Sequence, residues 1–124
     1  MLDIDYFKKI NDSYGHAGGD VVLTEFAARC KLALRDTDLL GRIGGDEFLV
    51  FLPQTSRTEA FQTANRLLEI TARTPFSFNG EQIAVTLSIG VATVSQDTKS
   101  LKTTINVTDR ALYKAKQNGR NTVR

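Results

Sequence analysis

The sequence predicts an α+β domain in which helices pack on a mostly antiparallel sheet. Three observations carry this expectation. Apolar residues recur at helical spacing in three stretches, short apolar runs pair around reversal signals, and the segments follow one another as β-α-β-β-α-β-β-α. The chain has 124 residues, 41% hydrophobic and 24% charged, ordinary usage for one globular domain with no room for a second core. A domain of this length buries roughly two-thirds of the surface its unfolded chain exposes, so its core needs no disulfide. The single cysteine, Cys30, reads as a small buried hydrophobe in a reducing compartment, which points to the cytoplasm. No apolar run approaches the roughly 18 residues of a membrane span, and Asp3 and Asp5 close to Met1 argue against a secretory leader. A formal charge of +2, from 16 basic and 14 acidic residues, gives no field for bulk polyanions. Neither nucleic acid nor a membrane surface is therefore an expected partner, and any anion must be held locally.

Each element has its own signal. Met1 to Ile4 reads as the tail of a buried strand. A polar, glycine-containing stretch from Asn11 to Gly19 is expected as a loop. Val22, Leu23, Phe26, Ala27, Cys30 and Leu34 then recur at helical spacing. Leu39, Leu40 and Ile43 lead into Gly44-Gly45-Asp46-Glu47 and the apolar run Phe48 to Leu52, a hairpin around a glycine-rich reversal. Ser56 and Glu59 form a capping-box pair ahead of the periodic Ala60, Phe61, Ala64, Leu67, Leu68 and Thr71. Asn79-Gly80 signals a second hairpin, and Ile83, Val85, Leu87, Ile89 and Val91 alternate as one strand with a core face. A third helix is expected from about Leu101 to Asn118, stopped by Gly119. Hairpins and helices in this order suggest a ferredoxin-like or polymerase-palm sandwich, a central sheet flanked by helices.

Several residues carry chemistry on such a scaffold. Asp3 and Asp5 end the first strand, and Asp46 and Glu47 sit on a reversal; if the two strands neighbour, the carboxylates converge on one edge and invite a hard cation such as Mg²⁺. The plain alternative is a strand end and a turn. Gly44 and Gly45 are more glycine than a tight turn needs, and without Cβ atoms they let a nucleotide approach the backbone; a β-bulge is the competing explanation. Asn11 and Asp20 could read a guanine edge, the carboxylate accepting from its N–H groups and the amide donating, although Asp20 could instead place charge at a helix N-terminus. His16 is the only histidine and no nucleophile elbow accompanies it, which leaves it a binding role. Lys116 and Arg120, four apart, would share a face at the end of the third helix, either facing the helix dipole or clamping phosphate. Arg35 and Asp38, three apart, read on their own as a solvated surface pair.

Taken together, Asp3-Ile4-Asp5-Tyr6-Phe7-Lys8, Asn11-Asp12, Gly15-His16, Gly19-Asp20, Gly44-Gly45-Asp46-Glu47-Phe48, Ala111-Leu112-Tyr113-Lys114-Ala115-Lys116 and Gly119-Arg120-Asn121 resemble the GGDEF family of diguanylate cyclases. The likeness covers essentially the whole chain as a single domain, 1–124, lacking the family's leading helix and the first half of its first strand. The resemblance implies a palm-like cytoplasmic domain that condenses two GTP into cyclic di-GMP with release of pyrophosphate across a homodimer. An upstream sensory or dimerisation region drives it in the parent, which can be membrane-tethered. By similarity, Asp3, the Ile4 carbonyl and Asp46 hold Mg²⁺ or Mn²⁺, with Glu47 a further ligand or a polar orienter. Asn11, His16 and Asp20 take the guanine-ribose end, and Lys8, the Phe7 backbone, Lys116 and Arg120 neutralise the triphosphate. Asp46 helps deprotonate the attacking 3′-hydroxyl, directly or through metal-bound water. Without its leading segment the domain is expected to turn over weakly.

The resemblance also gives Arg35-Asp36-Thr37-Asp38 a meaning. It matches the family's RxxD inhibitory motif, separated from Gly44 by the five residues Leu39 to Ile43, with Arg66 as the secondary arginine, so cyclic di-GMP is expected as inhibitor as well as product. The alternative to an enzyme is a catalytically silent module that senses GTP or cyclic di-GMP, against which the unaltered Gly44 to Phe48 stretch speaks.

Overall fold

The computed structural model describes residues 1–124. The elements are β1 (Leu2–Ile4), α1 (Phe7–Ala33), β2 (Leu39–Arg42), β3 (Glu47–Phe51), α2 (Arg57–Arg73), β4 (Phe76–Phe78), β5 (Glu81–Ile83), β6 (Leu87–Ile89), α3 (Leu101–Gln117) and β7 (Thr122–Val123). Five strands form one sheet in the order β2-β3-β1-β6-β7, antiparallel except where β7 runs parallel to β6. Its first four members have the strand arrangement of a ferredoxin-like sandwich, as expected. β4 and β5 form a separate hairpin whose tip, Asn79-Gly80, takes the two positive φ angles (48° and 79°) that a tight reversal demands.

Apolar periodicity builds the core. Ile4 from β1, Val22, Phe26 and Cys30 from α1, Phe76 from β4 and Leu87 from β6 are completely buried. Phe26 meets Phe48 of β3 edge to face at 4.9 Å, fastening α1 to the sheet. Cys30 is a free, buried thiol pushed up to about 12 by burial, hence inert. The Ser56 capping box forms as the sequence indicates, and Ser100 caps α3 through the Thr103 amide. No helix is long and apolar enough to cross a membrane.

Three expectations need correction. The stretch Asn11–Gly19 is not a loop: it is helical on both sides of a single break at Gly15 (φ 73°, ψ 172°). Gly15 supplies the positive φ of the break, whereas Gly18 and Gly19 serve packing: a Cβ at Gly18 would fall on Tyr14 while Ile10, Gly18 and Gly19 are buried, and that burial outweighs the low helix propensity of the segment. The strand expected over Ile83–Val91 is two strands in different sheets, Ile83 pairing with Phe76 and Leu87 with Ile4. The alternation persists because Ile83, Val85, Leu87 and Ile89 are all buried while their hydrogen-bond partners change. α3 ends at Gln117, so Arg120 does not share a helix face with Lys116; it lies in the turn leading to β7, a strand of two residues too short to leave a pattern.

Candidate active site

β1 occupies the middle of the sheet, and its C-terminal end is where the chemistry-bearing residues gather. Asp3 stands opposite Glu47 in the β1–β3 register, and the Ile4 amide donates to the Asp46 carbonyl at 3.1 Å. From the far end of the chain, the last turn of α3 brings Lys116, whose ammonium donates to Asp3 Oδ2 at 2.6 Å. Burial pushes the Asp3 carboxyl up to about 6; Lys116 opposes this, while Asp46 and Glu47 add to it. Burial works against the Lys116 charge, but the Asp3 carboxylate outweighs it and raises Lys116 above the ordinary lysine range.

The carboxylates are neighbours without forming a cage: no group of three or more His, Cys, Asp or Glu side chains is close enough to hold a metal by itself. This donor set fits Mg²⁺ nonetheless, because that ion binds through one or two carboxylates, keeps several waters and completes its shell with substrate phosphates. A carboxylate raised chiefly by burial, and further by its acidic neighbours, is also a place where added positive charge is favourable.

The reversal from β2 to β3 is shaped by a residue that sequence reasoning missed. Arg42 donates from Nε to the Gly44 carbonyl (3.0 Å) and from Nη2 to the Gly45 carbonyl (2.7 Å), latching the loop; an arginine two residues before a glycine pair is the only signal for it. Neither glycine has a positive φ, a Cβ on Gly45 would meet nothing, and one on Gly44 would make only ordinary contact with Glu47. The fold itself therefore asks for glycine at neither position, which leaves open access to the backbone as the physical reason for both.

α1 begins beside this loop. Its N-cap, Tyr6, makes no side-chain capping bond, so the first-turn amides around Phe7 and Lys8 have no side-chain partner there, and Lys8 is exposed. The break at Gly15 folds the first two turns of α1 back on the rest. Asn11 consequently lies against Gly19, where a Cβ would fall on Asn11 Oδ1, and Asp20 is the next residue. Asp20 thus lies within α1 rather than at its N-terminus; it is exposed, as is His16.

Asp5 does not join Asp3. Its carboxylate, in a residue only 5% exposed, is occupied by the hydroxyls of Thr86 (2.7 Å) and Ser88 (2.6 Å) and by the Asn121 amide (3.0 Å). The sequence-based pairing of these two acids around a cation is corrected accordingly: three donors hold Asp5, from the entry to β6, from β6 itself and from the turn before β7.

A family model described as "Diguanylate cyclase, GGDEF domain" matches residues 1–122. The chain belongs to the GGDEF family. Among its relatives, Diguanylate cyclase A of Treponema denticola is 46% identical over 123 residues, covering 99% of this chain and 33% of its own length. The chain spans about a third of the length of that relative. Diguanylate cyclase SiaD of Pseudomonas aeruginosa, solved with its activator SiaC, superposes with a TM-score of 0.93 at 38% identity, covering 99% of this chain and 47% of that one. The GGDEF domain of DgcB from Caulobacter crescentus, solved in complex with c-di-GMP, superposes with a TM-score of 0.92 at 30% identity over 98% and 72% of the two chains. These neighbours share the palm-like fold, with its mixed central sheet flanked by helices.

A second cluster of this GGDEF domain lies at the exit of α1. Arg35 and Asp38 are tied rather than merely adjacent: Nη2 meets Oδ1 at 2.8 Å, and the Arg35 amide donates to Oδ2 at 2.8 Å. The same guanidinium reaches the Pro53 carbonyl (3.0 Å) and Thr55 Oγ1 (2.8 Å), which fixes its fork on the surface. The Arg35 hydrogen bond holds the Asp38 carboxyl below the usual carboxylate range. Arg66 on α2 donates to the Ala33 carbonyl at 2.8 Å, beside the same segment.

Proposed function

We propose that this chain is the catalytic domain of a diguanylate cyclase, binding GTP with Mg²⁺ or Mn²⁺ and, paired with a second copy, joining two GTP into cyclic di-GMP. The observation that carries the reading is the meeting of Asp3, the Asp46-Glu47 loop and Lys116 at the end of β1, next to the uncapped start of α1. Asp3, the Ile4 carbonyl, Asp46 and Glu47 would hold the metal, which when bound offsets charge on the α-phosphate and the departing pyrophosphate. Lys8, the amide of Phe7, Lys116 and Arg120 neutralise the triphosphate, the arginine as a fork and the lysines as point charges. Asn11, His16 and Asp20 hold the guanine-ribose end, and the open backbone of Gly44 and Gly45 lets the nucleotide lie against the loop. In each step a 3′-oxygen loses its proton with help from Asp46 and bonds to the partner nucleotide's α-phosphorus as the bond to pyrophosphate breaks; positioning supplies much of the rate. Arg35, Asp38 and Arg66 form a separate binding site for the product, which bridges two domains and keeps their active halves apart. An upstream sensory or dimerisation region brings the copies together.

Incubating the intact protein with GTP and Mg²⁺ is expected to yield cyclic di-GMP and pyrophosphate by mass spectrometry. Asp46→Asn is expected to lower the yield roughly a hundredfold or more, the usual size of a lost acid–base contribution, with little change in melting temperature. No cyclic di-GMP from the wild-type protein at high concentration would refute the assignment.

A further inference from the structure

Gly119, Arg120 and Asn121 take φ angles of 96°, 64° and 45°, three successive residues in the left-handed region. Glycine adopts it freely, but Arg120 and Asn121 do so against Cβ sterics, and such a turn persists only where its surroundings hold it. Two bonds from backbone amides do so: the Arg120 amide donates to the Ala115 carbonyl (3.1 Å), and the Asn121 backbone amide donates to Asp5 Oδ2 (3.0 Å) across 116 residues of sequence. Asp5 is itself immobilised by the Thr86 and Ser88 hydroxyls on its two oxygens. The next residue, Tyr6, is left-handed (φ 54°) and 61% exposed, and it carries its ring 4.6 Å from the Arg120 guanidinium carbon, with its hydroxyl 3.4 Å from Nη1.

We propose that Asp5 and Tyr6 are positioning residues for Arg120: Asp5 fixes the backbone from which the guanidinium springs, Tyr6 fixes its direction, and together they aim it at the phosphates beyond the first of the bound nucleotide. This rests on the reading of the site as a GTP site. A stacked guanidinium on a pinned turn has already lost most of the freedom that a flexible arginine gives up on binding.

The test uses the intact protein, a GTP analogue with a methylene bridge between its α and β phosphorus atoms, and GMP. Arg120→Ala is expected to weaken the analogue roughly ten- to a hundredfold, the worth of a hydrogen bond to a charged group, and to leave GMP little changed. Asp5→Ala should show the same selectivity, and combining it with Arg120→Ala should add almost nothing. Asp5→Asn, which keeps an oxygen for the Asn121 amide, should restore the analogue's affinity. In the nucleotide-free protein, hydrogen exchange at the Asn121 amide should accelerate in Asp5→Ala. Equal loss for analogue and GMP, multiplicative losses in the double variant, or unchanged exchange at Asn121 would overturn the proposal. Should Asp5→Ala not fold, Tyr6→Ala at its exposed position carries the same comparison, and additivity with Arg120→Ala overturns it there. If the wild-type protein binds neither nucleotide, the GTP reading fails, while exchange at Asn121 still reports whether Asp5 holds the turn.

Discussion

Burial raises the Asp3 carboxyl from an ordinary 3.8 to about 6 despite Lys116 beside it. Because the folded value lies above the unfolded one, the native state binds more protons in that window, so Asp3 subtracts stability as pH climbs through it. Asp38 and Glu59, held below the ordinary range by hydrogen bonds from Arg35 and Ser56, act with the opposite sign and lose their contribution on acidification. Asp3→Asn is therefore expected to gain stability relative to wild type as pH rises from 4 to 7, read as the gap between urea midpoints; the half-exposed Lys116 keeps its hydration without a partner. A gap that does not change with pH would mean that the carboxylate is ionised without penalty. At this scale the nearness of Asp3 to the Asp46-Glu47 reversal was legible because it follows once β1 and β3 are neighbours. Asp5 was misplaced because an alternating strand cannot disclose that Thr86, Ser88 and Asn121 wait on the other side. Arg42 was silent because its acceptors are carbonyls.

Two glycines measure how tightly the elements are seated. A Cβ at Gly90 would strike the backbone of α3 at Thr108 and Leu112, which cannot move without shifting the helix off β6. Gly90→Ala is expected to cost about 2–3 kcal/mol in urea unfolding. A Cβ at Gly19 would instead strike the Asn11 side chain, which can rotate away, and crowd the edge of the Phe7 ring, which has to give by a few tenths of an ångström, while alanine is the better helix former by about 1 kcal/mol. Gly19→Ala should thus stay within about 1 kcal/mol of wild type, yet weaken guanine nucleotide binding because Asn11 is displaced. Equal costs at the two positions would contradict the packing described. The elements announced by capping and turn chemistry, α2 after Ser56 and the Asn79-Gly80 hairpin, were readable from local signals. The length of α1 was not, since Gly18 is seated against Tyr14 and Phe78 and Gly19 against Asn11, contacts made across the Gly15 break and with β4 that local sequence does not encode.

The molecule closes on itself around β1, with residues 113 and 116 positions away returning to touch Asp3 and Asp5. The order of motifs gave the topology away, whereas β7 and the change of sheets after Ile83 depend on long-range pairing. In the proposed reaction, one such molecule supplies one nucleotide and half of a reaction centre. Cyclic di-GMP formed per molecule of enzyme is consequently expected to rise with enzyme concentration at saturating GTP and to level off once pairing is complete; a rate strictly proportional to concentration down to high dilution would show that a single copy suffices. The undemanding Gly44-Gly45 reversal has an evolutionary corollary. Since architecture does not depend on either position, bulkier replacements there would, on the proposed reading, obstruct the nucleotide and leave the scaffold standing, so a chain that folds alike yet turns over nothing lies only a short mutational walk away.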